Sequence, residues 1–137
     1  MRAATTTLFV LLTSGICLGH QPACGLTSMT ETAKPLYPPI AKAAHIEGNI
    51  IMLVTFKLNG AVEKIDVVSG PEMLKTAARI YVQGWHANEY TGPRTCPIVV
   101  NFHILHEGDT TTPTFIRQDL QHVTLNSIPL VLYTTNY

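Results

Sequence analysis

Histidine and cysteine are the residues of this 137-residue chain whose types could support metal binding or catalysis. Six histidines occur, but neither an H-E-x-x-H nor a C-x-x-C signature accompanies them. His103 and His106 lie on or just after a predicted strand, where a spacing of three places side chains on opposite faces. No carboxylate, histidine and nucleophile set is local, and Ser69 is a predicted helix cap. The sequence therefore predicts no catalytic residue, no metal site and no cofactor, and a metal-binding protein or hydrolase is the last-ranked alternative.

The first 19 residues have the layout of a secretory signal peptide. They begin with Arg2, continue as a mostly apolar stretch and end in small residues. The apolar stretch is shorter than the about 20 residues that a membrane-spanning helix needs. We expect cleavage after Gly19, with Ala23 as the alternative, and hence a periplasmic or secreted protein. If the segment is not cleaved, it would anchor the protein in the inner membrane.

Cleavage would leave two of the three cysteines, because Cys17 lies within the signal segment. Cys24 and Cys96 would then be the two thiols of an exported chain, a setting in which disulfides persist. The sequence says nothing of the distance between them, so it leaves open whether they are bridged.

The charge balance excludes one class of partner. Nine basic and nine acidic residues give a formal net charge of zero, so the chain lacks the basic field of a nucleic-acid-binding protein. With 46% hydrophobic and 13% charged residues, the composition is that of a folded domain rather than of a disordered segment.

The predicted elements form one small α+β domain. Residues 20–34 are an aperiodic leader, residues 35–106 the domain, and residues 107–137 an extension with two short strands at 121–125 and 130–134. Within the domain the patterns predict, in order, a helix at 37–45, strands at 49–58 and 61–68, a helix from 71 to about 86, a loop at 89–97 and a strand at 98–105. The expected fold is a mainly antiparallel three-stranded sheet with two helices on one face.

One strand carries a local irregularity in its pattern. Val62 is out of phase with Ile65 and Val67, so a bulge near residues 63–64 would bring all three side chains to the core. The preceding Asn59-Gly60 pair predicts a hairpin turn, because both residues tolerate positive φ.

The motifs from residue 35 to residue 105 together resemble the TonB C-terminal domain family. The resemblance is carried by their order and spacing: Tyr37-Pro38-Pro39-Ile40-Ala41, Ile46-Glu47-Gly48, Asn59-Gly60, Val67-Val68-Ser69-Gly70, Ala77-Ala78 ahead of Trp85, and Ile98-Val99-Val100-Asn101-Phe102. Physically, Gly48, Gly60 and Gly70 suit turns, and Trp85 suits a large anchor between helix and sheet.

The resemblance implies a function based on strand addition. A domain of this kind would bind an extended peptide of an outer-membrane transporter or another envelope protein along its last strand. The implied partner-binding residues are two that flank the strand and eight within it: Leu36, Tyr37, Ile98, Val99, Val100, Asn101, Phe102, His103, Ile104 and Leu105. No nucleic acid or small-molecule cofactor is implied.

Two alternatives concern the same edge. The extra strands of the extension could cover it, since proteins commonly protect sheet edges. The edge could also pair between two copies of the chain, which would make the protein a self-associating structural component of the envelope and a homodimer.

Overall fold

The structure, a computed structural model, describes residues 24–106, 109 and 112–130. The predicted signal segment and nearly all of the predicted strand at 130–134 lie outside these residues. The elements follow in the order β1 (Leu26–Glu31), α1 (Pro39–Ala43), β2 (Gly48–Phe56), β3 (Val62–Ser69), α2 (Glu72–Gln83), β4 (Trp85–Tyr90), β5 (Thr95–Ile104), β6 (Thr114–Arg117) and β7 (His122–Ser127).

Five strands form the main sheet, in the order β3-β2-β5-β7-β6. The pairs β3–β2, β2–β5 and β7–β6 are antiparallel, whereas β7 runs parallel to β5. The predicted α+β class, with two helices and added C-terminal strands, is confirmed. The tail strands convert the expected antiparallel sheet into a mixed one.

Strand β2 supplies the centre of the core. Its alternating pattern places Ile50, Met52, Val54 and Phe56 on the buried face, while Ile51 and Leu53 remain exposed on the other. Apolar side chains of β5 and α2 complete the same cluster. Alternation of this kind is expected where one sheet face is packed and the other faces solvent.

The β2–β3 hairpin has the predicted turn and the predicted bulge. Thr55 pairs with Lys64 and Phe56 with Val62, so Glu63 is the extra residue. Gly60 closes the turn with a φ of 92°. A side chain there would collide with β4, because a Cβ atom would lie 2.1 Å from the Ala87 carbonyl oxygen. Gly60 is therefore fixed both by its backbone angle and by a close approach.

The second helix is shorter than its apolar stripe predicted. Leu74, Ala78 and Tyr81 are buried as expected, but α2 ends at Gln83, and Trp85 opens strand β4. The prediction that the helix extends to residue 86 was wrong. Trp85 lies four residues after Tyr81 and so fitted the apolar stripe of the helix, but it belongs to a strand, in which alternate residues are buried. In that pattern Trp85 and Ala87 are buried, His86, Asn88 and Glu89 are exposed, and Tyr90 is half-buried.

A separate two-stranded sheet joins β1 to β4 in antiparallel fashion. Residues 26–31 were expected to be linker, and residues 89–90 loop. Neither six-residue strand has a strong apolar alternation, and each gains its stability from pairing with the other and from packing on the core. Beside this sheet, the Cys24 and Cys96 sulfurs form a disulfide with a Cα–Cα distance of 4.8 Å.

The C-terminal hairpin, defined as β6, β7 and the turn between them (residues 114–127), differs from its prediction. Residues 121–125 fall largely in β7 as expected. Their hairpin partner, however, is the unpredicted β6 and not the segment at 130–134, of which only Leu130 is described. The Asp119 carboxylate organises the turn by accepting hydrogen bonds from the backbone N–H groups of Gln121 (2.7 Å) and His122 (2.8 Å).

Across the described ranges, no helix combines the length and apolar character that crossing a bilayer requires.

Candidate partner-binding edge

The outer edge of β5 is occupied by β7. The register runs from Val99 opposite His122 to Ile104 opposite Ser127. Beyond the two ends of this ladder, the N–H of Val99 donates to the Gln121 carbonyl (2.8 Å), and that of Leu105 donates to the Ser127 carbonyl (2.8 Å). Strand β5 is thus paired on both sides, and another strand can pair with this edge only when β7 leaves it.

Seven of the eight predicted binding residues lie in β5 and divide between its two faces, and the eighth, Leu105, follows the strand. Ile98, Val100, Phe102 and Ile104 are in the core, and Leu105 is also buried. Val99, Asn101 and His103 are partly exposed on the opposite face. A partner aligned along β5 would therefore read mainly the backbone, with side-chain contacts limited to these three residues.

Leu36 and Tyr37 have different surroundings, although both were predicted to flank the edge. Leu36 is 75% exposed, whereas Tyr37 is 3% exposed. The Tyr37 hydroxyl donates to the Ile46 carbonyl (2.5 Å), and its ring packs edge-to-face on Phe102 with centroids 5.3 Å apart. Burial, followed by the nearby Glu47 carboxylate, raises the pKa of Tyr37 to about 12. Tyr37 thus packs against the buried face of β5.

Leu36 lies at an apolar groove of about 360 Å³ between the segment before α1 and the outer side of α2. The groove lining is mostly apolar and includes the exposed side chains of Met73 and Ile80. Its remaining lining residues are Ala33, Lys34, Pro35, Pro38, Pro39, Thr76, Ala77 and Tyr81.

A polar cluster fastens the C-terminal hairpin to the rest of the fold. Arg117 of β6 donates through Nη2 to Glu31 Oε2 (2.9 Å) and to the Tyr81 hydroxyl oxygen (3.0 Å). The Tyr81 hydroxyl in turn donates to the same Glu31 oxygen. The Arg117 guanidinium carbon lies 4.9 Å from the centre of the Trp85 ring, a cation–π geometry.

The same cluster holds an aromatic side chain of β6. Phe115 packs edge-to-face on Tyr81, with ring centroids 6.0 Å apart. Burial, together with the hydrogen bond to Glu31, raises the pKa of Tyr81 far above its ordinary value, so the hydroxyl remains a donor.

Sequence reasoning missed Glu31, Phe115 and Arg117, and it assigned Tyr81 only to the apolar face of α2. The available signal was the Thr114-Phe115-Ile116-Arg117 run, in which Phe115 and Arg117 share one strand face.

Two of the described histidines lie close together, and one of them lies beside a carboxylate. His103 Nδ1 lies 3.0 Å from Glu47 Oε1, and the His103 and His106 rings are 5.9 Å apart. The expectation of opposite faces was wrong because β5 ends at Ile104, so strand alternation does not extend to His106. Within residues 24–106, 109 and 112–130, no three metal-ligating side chains converge.

Comparison with protein families matches the central part of the chain. The family model described as Gram-negative bacterial TonB protein C-terminal matches residues 33–104, slightly more than half of the chain. The matched region ends at the last residue of β5 and excludes β1 and the C-terminal hairpin. No curated protein matches the chain.

Proposed function

This chain belongs to the TonB C-terminal family, and from that membership we propose that it is an exported interaction module that captures an extended peptide by strand addition. Domains of this family are periplasmic, interact with outer-membrane transporters and take part in energy transduction for transport. The family is a non-enzymatic protein-interaction domain. The proposed partner is a segment of such a transporter or of another envelope protein, and no cofactor takes part.

The observation that carries the proposal is the parallel pairing of β7 with β5. Strand β7 lies outside the residues that match the family, yet it adds to the last matched strand through six register pairs. The pairing supports the view that the backbone groups of β5 are arranged to accept an extended segment. Backbone bonds of this kind provide affinity for varied sequences, and the few exposed side chains provide selectivity.

Occupancy by β7 makes the proposed capture an exchange. A partner strand would replace the β7 hydrogen bonds with its own, so the net change in hydrogen bonding is small and the partner's side chains decide the affinity. We therefore place the partner contact at residues 98–105, with Tyr37 packed beneath them, while Leu36 lies at the separate groove beside α2.

An NMR titration tests the proposal. The isotope-labelled full chain is titrated with synthetic peptides from the N-terminal periplasmic segments of outer-membrane transporters. We expect amide shifts along residues 98–105 and loss of the native signals of residues 122–127. A control peptide of the same length, with proline at every second position, cannot form the ladder and should leave the spectrum unchanged.

The same samples separate peptide capture from self-association. A mass that is constant over a wide range of concentrations, together with peptide-dependent shifts, supports capture. A constitutive dimer that ignores every transporter peptide would replace capture with the self-associating alternative.

A further inference from the structure

The C-terminal hairpin is held at two places that are far apart in the sequence. Its inner strand, β7, pairs with β5 and buries Val123. Among the described residues, its outer strand, β6, pairs only with β7, and its Arg117 is held by residues outside the main sheet. We call these residues, Glu31, Tyr81 and Trp85, the arginine cluster.

The arginine cluster has the composition of a binding site for one cationic side chain. Glu31 supplies a carboxylate, Tyr81 supplies both an acceptor for the guanidinium and a donor to Glu31, and Trp85 supplies a ring face. The Glu31 and Arg117 side chains are 28% and 25% exposed. Partial burial makes a charge-assisted hydrogen bond stronger than it would be at an open surface.

The cluster also contacts the residue two positions before the arginine. Phe115 and Arg117 project to one face of β6, since alternate residues of a strand share a face, and both contact Tyr81. Without the hairpin, the cluster would present an unpaired carboxylate beside two aromatic rings. Among the described residues, Arg117 is the cation that pairs with Glu31.

We propose that the surface beneath the C-terminal hairpin is a binding site for a β-hairpin of a partner protein, whose inner strand pairs with β5 and whose outer strand carries an aromatic residue two positions before an arginine. The chain's own hairpin is the internal ligand that such a segment displaces. This inference rests on the proposed function and adds the chemistry that the partner must carry.

The test uses the full chain with Arg117→Ala and a labelled 19-residue peptide of the sequence 112–130 as the probe. Removing the internal arginine weakens the chain's own hairpin and leaves the cluster free for the arginine of the peptide. We expect the variant to bind the peptide at least tenfold more tightly than the wild-type chain does, because the wild-type site is occupied. Arg79→Ala is the matched control, since Arg79 contacts the Ile65 carbonyl of β3 and not the hairpin.

Two further arms test the arginine cluster itself. The same peptide with alanine in place of its arginine should bind the Arg117→Ala chain about tenfold more weakly than the unchanged peptide. Adding Glu31→Gln to the Arg117→Ala chain should remove most of the preference for the peptide that keeps its arginine. If Glu31 had only a structural role, the preference would remain.

Four other results are possible, and each contradicts a different part of the proposal. Equal binding of the two peptides would show that the arginine cluster does not recognise the arginine, but it would not contradict strand addition at the β5 edge. No binding, with the amides of 122–127 as protected from hydrogen exchange as in the wild type, would show that Arg117 does not hold the hairpin. No binding despite faster exchange at 122–127 would refute the inference, while capture of a transporter peptide would still be decided by the NMR titration. A wild-type dimer that exchanges hairpins would assign the site to a second copy of the chain.

Discussion

At Gly60 the β2–β3 turn and strand β4 come into direct contact. The Gly60 carbonyl accepts a hydrogen bond from the Ala87 N–H (2.8 Å), and a Cβ atom at Gly60 would overlap the Ala87 carbonyl oxygen. Gly60 thus allows the β2–β3 hairpin to pack against β4, a strand that the apolar patterns of the sequence did not predict. Its function is structural, because it fixes the distance between the two sheets.

Gly60→Ala should destabilise the fold by more than an alanine substitution does at a glycine that has a positive φ but no close neighbour. Gly92 provides the matched control, since its φ is 126° but its Cβ would make only an ordinary contact, 3.6 Å from Gly25. We expect Gly60→Ala to lower the free energy of unfolding by about 1–3 kcal/mol more than Gly92→Ala, the usual range for forced overlap. Urea unfolding followed by circular dichroism measures the difference, and equal effects would contradict the close approach.

The raised pKa of Tyr37 predicts that the folded protein loses stability at high pH. Its pKa of about 12 exceeds the ordinary 10, so the neutral phenol is favoured in the folded state. The stability that this provides is complete below pH 10 and declines as the pH rises from 10 to 12. Tyr37→Phe should remove the part of this decline that belongs to Tyr37, as measured by absorbance at 295 nm and by unfolding at each pH. An unchanged alkaline transition in the variant would contradict the assignment.

Among the elements, those with strong periodicity were predictable and those formed by pairing were not. The alternation of Ile50, Met52, Val54 and Phe56 identified β2, and the stripe through Tyr81 identified α2. Strands β1, β4 and β6 are six, six and four residues long, and their polar composition carries little information about their partners. The strand at residues 98–105 could be named from the sequence, and so could the extension as a possible cover of its edge. The hairpin partner β6 and the parallel direction of β7 could not be predicted, since pairing between distant segments leaves no local signal.

The disulfide is the element-scale feature that is simplest to test. Cys24 and Cys96 are 72 residues apart, and closing a loop of that size restricts the unfolded chain by about 4 kcal/mol in the chain-entropy description. The double variant Cys24→Ser, Cys96→Ser should lose stability of this order in urea unfolding.

Wild-type protein unfolded in the presence of a reductant is the control and should match the double variant. Intact mass spectrometry of the oxidised protein, before and after reduction, counts the two hydrogens that the bond removes. A wild-type mass without that deficit would contradict the pairing.

Considered as a whole, the molecule has a family-matched unit with an addition on each side. Strand β1 precedes residues 33–104 and the C-terminal hairpin follows them. The two additions bond to each other, because Glu31 belongs to β1 and Arg117 to β6. The two parts outside the matched unit are therefore joined to each other, and one of them, the C-terminal hairpin, covers the proposed binding edge.

Export is the prediction that belongs to the whole chain. If residues 1–19 direct secretion, the protein recovered from the periplasm should begin at His20, or at Cys24 if cleavage follows Ala23. N-terminal sequencing and intact mass decide between these two sites. Arg2→Glu should slow processing by weakening the positive start of the signal, whereas Lys34→Glu, outside the segment, should not. Full-length protein retained in the inner membrane would instead support the anchored alternative.

The disulfide also determines how this molecule would respond to mechanical load. When the chain is stretched from its two ends, the bond between Cys24 and Cys96 transmits the tension and shields the intervening residues from extension. Unravelling is then confined to the part after Cys96, where the C-terminal hairpin lies outermost in the sheet. Because β7 runs parallel to β5, a pull on the C-terminal side enters at the start of β5 and leaves at the end of β7, so it loads the hydrogen bonds between the two strands together, in shear. The elements α1, β2, β3 and α2 remain within the closed loop, and the β5–β7 ladder is the part of the sheet that bears the load.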